Sequence, residues 1–74
     1  MVLDPSVRAA LEAALASNPN ALPVRLHLAG LLIGAGEPEA ALAHCATVLA
    51  TQPDNPEGLR LAAAASRGLG ETAR

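Results

Sequence analysis

The stretch LPVRLHLAGLLIGAGEPEAALAHCATVLATQPDN, residues 22–55, contains one full period of a pattern that recurs every 34 residues along the chain. Asn18-Pro19-Asn20 is echoed by Gln52-Pro53-Asp54, and Gly34-Ala35-Gly36-Glu37 returns as Gly68-Leu69-Gly70-Glu71. A fixed period of this length is typical of a solenoid, in which each unit buries its apolar face only by stacking on the next unit. We therefore expect a surface that binds partners rather than one that carries chemistry.

Pro, Gly and Asn residues divide the chain into four amphipathic segments that are predicted to be helices. Their expected bounds are about Pro5–Ser17, Pro23–Ala35, Pro38–Thr51 and Pro56–Leu69. Asp4 and Asn55 are expected to cap the first and last helices, since each precedes a proline at the first helical position. Gly68 and Gly70 are expected to end the last helix. Short connections force neighbouring helices to lie antiparallel, so the predicted fold class is all-α, an antiparallel helix-turn-helix array.

The predicted core is built from small side chains, because the chain has no Phe, Tyr or Trp. A domain of this length buries only about 60% of the surface of its unfolded chain. The residues expected to be buried together are Leu11, Leu28, Leu32, Ala41, Cys45, Val48 and Leu49. The apolar fraction of 51% is high for a free-standing domain, and we expect part of that surface to meet another molecule.

Charge and composition disfavour several classes of function. The net charge of -2 argues against nucleic-acid binding, which requires a basic stripe. The absence of Lys and Trp disfavours a helix lying on a membrane surface, and no apolar run is long enough to span a membrane. Met1-Val2-Leu3-Asp4 does not begin a signal peptide, and a single Cys forms no internal disulfide, so we expect a cytoplasmic protein. The Ala-, Arg- and Gly-rich composition suggests a GC-rich bacterial genome.

The residues of the full period resemble a tetratricopeptide repeat, a helix–turn–helix unit of 34 residues. The motif has small or large apolar residues at fixed positions and ends with a proline. The residues at these positions here are Leu28, Ala29, Leu32, Ala41, Cys45 and Pro53. Arg25 stands where the motif usually has Trp, and Leu32 and Cys45 replace aromatic residues. The resemblance implies a right-handed solenoid fragment that binds a protein or peptide.

The phase of the repeat is unusual within the single domain expected over residues 1–74. Residues 4–21 are interpreted as the second helix of a preceding repeat and residues 22–55 as a full repeat. Residues 56–70 are interpreted as a first helix whose own second helix is missing. The face of that last helix carrying Leu59, Ala62, Ala63 and Ser66 would then lack a partner within the chain. We expect a weak homodimer to form through this C-terminal helix.

Few residues could carry chemistry. His27, His44 and Cys45 are the only candidates for a nucleophile, a base or a soft metal ligand, and no carboxylate stands at a spacing that would orient either His. A metal site needs three or four converging ligands, and no glycine-rich loop precedes a helix. We therefore expect no catalytic residues, no metal and no cofactor, so the chain is not expected to be an enzyme.

The predicted binding site is a groove along the helices that come first in each repeat, which are the second and fourth predicted helices of the chain. The residues expected to line it are Leu26, Gly30, Ile33, Arg60, Ala64 and Arg67. Its apolar strip and its two arginines would suit a peptide with apolar anchors and a carboxylate. Chaperone-binding members of the family hold a peptide carboxylate with Lys and Asn, but Leu26 and Gly30 stand where such a clamp would begin, so that activity is not expected.

Two other interpretations remain open at this point. The chain could be a terminal region of a larger bacterial enzyme, such as an ATPase that carries repeats ahead of its motor domain. It could also be a self-associating dimerisation domain.

Overall fold

The computed structural model describes the backbone of residues 4–72 and the side chains of residues 4–70. Residues 4–72 form four α-helices and no strand. The helices are α1 (Pro5–Ser17), α2 (Leu22–Gly34), α3 (Pro38–Thr51) and α4 (Pro56–Thr72). The predicted bounds of α1 and α3 are confirmed, and α2 begins and ends one residue earlier than predicted. No helix among residues 4–72 is both long and apolar enough to cross a membrane.

The predicted N-caps of α1 and α4 are confirmed by hydrogen bonds. The Asp4 carboxylate accepts from the Ser6 backbone N–H at 2.8 Å, and the Asn55 side-chain oxygen accepts from the Gly58 N–H at 2.9 Å. Each cap satisfies one of the backbone donors that a helix start leaves without a partner. By contrast, α2 follows Ala21 and forms no side-chain cap.

Gly36 makes the sharp turn between α2 and α3. Its φ of 80° lies in the left-handed region, which a residue without a Cβ adopts at little cost. The following N–H, of Glu37, donates back to the Leu32 carbonyl at 2.9 Å, which closes the end of α2 in the manner of a Schellman motif. α3 then begins at Pro38, directly after Glu37.

The prediction that Gly68 and Gly70 end the last helix is wrong, because α4 continues to Thr72. The equivalent of Pro38 one period later is Thr72, so no proline ring drives the preceding residue out of the helical region. Gly68 instead allows close packing: a Cβ there would lie 3.1 Å from the Cβ of Pro38. Gly68, which was predicted to end the helix, lies where α4 contacts the start of α3.

α3 lies at the centre of the array and packs on both α2 and α4. The start of α4 meets the end of α3, where Gly58 approaches Val48 and Leu49, while Gly68 meets the start of α3 at Pro38. These two contacts show that α3 and α4 are antiparallel. α2 and α4 also touch each other, whereas α1 packs on α2.

The core joins all four helices and largely matches its prediction. Five predicted members are buried, namely Leu28, Leu32, Ala41, Cys45 and Val48. Leu11 and Leu49 are only partly buried. The buried apolar residues outside that list of seven are Leu15, Ala29, Leu61 and Ala65. Leu61 and Ala65 belong to the face of α4 that packs against α2 and α3.

Two arginines connect helices across the array. Arg8 of α1 pairs with Glu37 in the α2–α3 turn at 2.6 Å. Arg25 of α2 donates to the Pro19 carbonyl at 2.9 Å, and its second terminal nitrogen lies 3.0 Å from His44 Nδ1 on α3. Arg25 stands at the place where the motif usually has Trp, so a polar bridge takes over from an aromatic wedge.

Candidate partner-binding groove

An open groove of about 430 Å³ lies between α2 and α4. It is lined by Pro23, Leu26, His27, Gly30, Leu31, Glu57, Arg60 and Leu61. The groove lies where α2 and α4 run beside each other, each packed on α3, and Gly30 places no side chain between them. A surface of this kind suits an extended or helical segment of a partner.

The floor of the groove is apolar and depends on Gly30. A Cβ at Gly30 would lie 3.9 Å from a terminal carbon of Leu61, which is an ordinary contact distance. Leu26 packs partly buried against the core, so its exposed part forms a firm apolar wall. The glycine therefore leaves room for a side chain of a partner without being required for packing.

The charged rim of the groove is an ion pair on α4. Arg60 donates to Glu57 one turn earlier, and their side chains are 68% and 48% exposed. Because both groups face solvent, the pair contributes little to stability and can exchange one partner for another. The groove therefore presents a compensated cation rather than the free cationic strip that the sequence suggested.

The structure brings three of the six predicted site residues together. Leu26, Gly30 and Arg60 all line the groove. Ile33 packs against the core, Ala64 is half-buried and Arg67 is exposed, and the structure does not place these three in the lining.

The predicted lining did not include His27, Leu31 or Leu61, which the structure places in the groove. Helical spacing was the available signal, since residues 23, 27, 30 and 31 fall on adjoining positions of one face. The lining is rotated toward His27 and Leu31, away from Ile33.

The groups with reactive potential do not converge. Cys45 is fully buried on α3, and burial raises the pKa of its thiol, which keeps it in the unreactive protonated form. His44 is half-buried beside Arg25, while His27 lies in the groove lining. Within the part of the chain that the structure describes, no three His, Cys, Asp or Glu side chains gather where they could hold a metal ion.

A family model of the tetratricopeptide repeat matches residues 7–65. The chain belongs to the tetratricopeptide repeat family. Repeats of this family are generally non-catalytic modules that bind proteins. No curated protein and no solved structure matched the chain when it was compared with both.

Proposed function

We propose that the chain is a protein-interaction module that binds a peptide segment of its partner in the groove between α2 and α4, with no catalysis of its own. One observation carries this proposal: an open groove with an apolar floor and a charged rim lies between α2 and α4. Family membership supports it, because binding proteins is the general role of such repeats.

The lining indicates the chemistry of the peptide. An apolar anchor fits above Gly30, between Leu26 and Leu61, where it would be removed from water. A guanidinium has five N–H donors, so Arg60 can bind a peptide carboxylate or carbonyl while it also contacts Glu57. We therefore propose a segment with one apolar anchor next to an acceptor group.

A pair of charge reversals on one helix tests this proposal. Peptides are first selected on the wild-type chain from a displayed random library and then titrated by calorimetry. Arg60→Glu places a carboxylate where the acceptor binds and should raise the Kd of the selected peptide at least about tenfold, equivalent to ~1.4 kcal/mol. Arg67→Glu makes the same change in net charge outside the groove lining and should leave Kd nearly unchanged.

A third variant tests the groove without altering charge. Gly30→Leu fills the floor and should abolish binding of the apolar anchor, while circular dichroism confirms that the helices are retained. If both Arg60→Glu and Gly30→Leu bind the peptide as tightly as wild type, the proposed groove is not the binding site. Equal losses in Arg60→Glu and Arg67→Glu would show a general charge effect instead.

A specific observation favours self-association as a second candidate function. Leu59 on α4 is a large apolar side chain that is 50% exposed. Ala63 and Ser66 on the same face are also exposed. We propose that α4 mediates weak association between copies of the chain, in addition to binding a peptide.

A further inference from the structure

The exposed large apolar side chains lie at the two ends of the helical array. Among the described residues these are Val7 of α1, 43% exposed, and Leu59 of α4, 50% exposed. Each is part of an open face. We define the α1 face as Val7, Leu11 and Ala14, and the α4 face as Leu59, Ala62, Ala63 and Ser66. Leu11 and Ala62 are partly buried against the core, and the other members are exposed.

The 34-residue period relates these two open faces to an interface already present in the chain. One period separates Val7 from Ala41, Leu11 from Cys45 and Ala14 from Val48. All three later residues are fully buried on α3. The α4 residues at 62, 63 and 66 are likewise one period after Leu28, Ala29 and Leu32, which are buried on α2. The α1 face and the α4 face are therefore equivalent to the two sides of the α2–α3 interface.

The sizes of the side chains on the open faces complement each other. In the α2–α3 pair, the large residues Leu28 and Leu32 lie on α2, and small Ala41 lies on α3. On the open faces the order is reversed, because α4 presents alanine and serine at those places and α1 presents Val7 and Leu11. A pair made from α4 and α1 would therefore again place larger residues opposite smaller ones. Its packed volume would be smaller than that of the α2–α3 pair, since Ala14 stands where α3 has Val48.

The polar contact of the inner interface has an apolar counterpart on the open faces. Arg25 and His44 contact each other between α2 and α3. One period away, their equivalents are Leu59 on α4 and Ala10 on α1. Both are exposed and apolar, so bringing the faces together would bury no charge at these two positions.

We propose that α1 of a second copy docks on the α4 face of the first, as α3 docks on α2 within the chain. This inference rests on the proposed self-association through α4 and identifies the surface that α4 meets. Such a contact joins two different faces, so each copy keeps one face free and further copies can add. Because most of the side chains involved are small, each contact buries little apolar area and the association is weak.

Two complementary variants test this arrangement by sedimentation equilibrium over a wide concentration range. Val7→Glu disables the α1 face and leaves the α4 face intact, and Leu59→Glu does the reverse. Both positions lie near helix starts, where a carboxylate is favourable, so we expect both variants to fold. The wild type should exceed the mass of a dimer at high concentration. Each variant alone should be at least about tenfold weaker in association. An equal mixture of the two should form dimers and nothing larger.

The remaining outcomes distinguish this inference from the self-association on which it rests. If Val7→Glu alone still forms dimers and Leu59→Glu does not, α4 pairs with a second α4, and the α1 docking is overturned while self-association stands. If the mixture stays monomeric like its components, the docking is also overturned. A wild type that remains monomeric at millimolar concentration rejects both proposals. Ala46→Glu, an exposed change on α3, is the matched control and should associate as wild type does.

Discussion

Three glycines show how one residue type serves different needs at single positions. Gly36 adopts a left-handed φ of 80°, Gly68 sits 3.1 Å from Pro38 when a Cβ is added, and Gly30 has ordinary space at 3.9 Å. Gly36 is needed for the turn and Gly68 for close packing, whereas Gly30 is needed for neither. Because Gly30 has no side chain, the groove between α2 and α4 stays open at this position.

Alanine at these positions should therefore have opposite effects on stability. Gly30→Ala removes backbone freedom from the unfolded chain and meets no clash, so it should raise the free energy of unfolding by up to about 1 kcal/mol. Gly68→Ala pushes against the rigid ring of Pro38 and should instead be destabilising by about 1 kcal/mol or more. Urea unfolding of both variants checks this. Equal shifts would show that α4 does not approach Pro38 closely.

The contact between Arg25 and His44 makes stability depend on pH. Burial and the nearby Arg25 charge lower the pKa of His44 from its ordinary value of 6.5, opposed by Glu12 and assisted by Arg8. As pH falls through that ordinary value, the unfolded chain takes up a proton that the folded chain resists. The free energy of unfolding should therefore decrease on acidification and level off below the folded pKa.

Replacing His44 should remove that dependence. His44→Gln keeps an acceptor for Arg25 but does not titrate, so its stability should change less than that of wild type between about pH 7.5 and 5.5. Urea unfolding at several pH values measures this. His27→Gln removes a histidine away from the Arg25 contact and is the matched control, so it should keep the decrease in stability that His44 causes. A His44→Gln curve as steep as that of wild type would contradict the assigned contact.

At the scale of the helices, the sequence alone predicted helix caps and bounds wherever the local signal was unambiguous. The Asp4 and Asn55 caps and the bounds of α1 and α3 followed from proline and capping chemistry. The end of α4 did not, because a glycine that permits close packing looks the same in a sequence as one that ends a helix. The difference lies in tertiary contact with Pro38, which no local pattern contains.

The rotation of α2 explains why only part of the groove was predicted. This helix is apolar on nearly every side, so its hydrophobic pattern does not determine which face packs inward. Successive residues lie about 100° apart around a helix, so turning α2 by less than one residue brings Leu31 into the groove lining and takes Ile33 out of it. The two predicted residues of α2 that line the groove, Leu26 and Gly30, lie where the predicted and observed orientations of α2 overlap.

The α2–α3 pair is predicted to have no space for a larger side chain at Ala41. This residue is fully buried, so Ala41→Leu should overpack the pair and lower the free energy of unfolding by about 1–3 kcal/mol. Ala43→Leu makes the same change at an exposed site of α3 and should change it by less than about 0.5 kcal/mol. Thermal melts compare the two. A wild-type melting temperature for Ala41→Leu would disprove the packing.

At the scale of the whole molecule, stability should be graded along the array. Helices in a repeat protein gain stability mainly from their neighbours, and the structure is only 14 Å thick along its shortest axis. The two most extensive helix pairs are α3–α4 and α2–α3, and both include α3, whereas α1 packs only on α2 among the described helices. The Arg8–Glu37 pair is partly exposed and adds little to that attachment.

Amide hydrogen exchange should reveal this gradient. We expect α1 to exchange fastest among the four helices and α3 slowest, because local opening of α1 disrupts the fewest contacts. The measurement is made at low concentration, where self-association does not protect α1. Uniform protection across all four helices would show that the array opens only as a single unit.

The burial of Cys45 makes the rate of thiol labelling a measure of how often the core opens. Its sulfur is the chain's single thiol and is fully enclosed, and no aromatic side chain is present to report folding by fluorescence. A thiol-modifying reagent can react only during the moments when α2 and α3 separate. The rate of labelling, divided by the rate for the unfolded chain, therefore gives the fraction of time the centre of the array is open. A ligand bound in the groove stabilises the folded array and lowers that fraction, so slower labelling of Cys45 would also report binding.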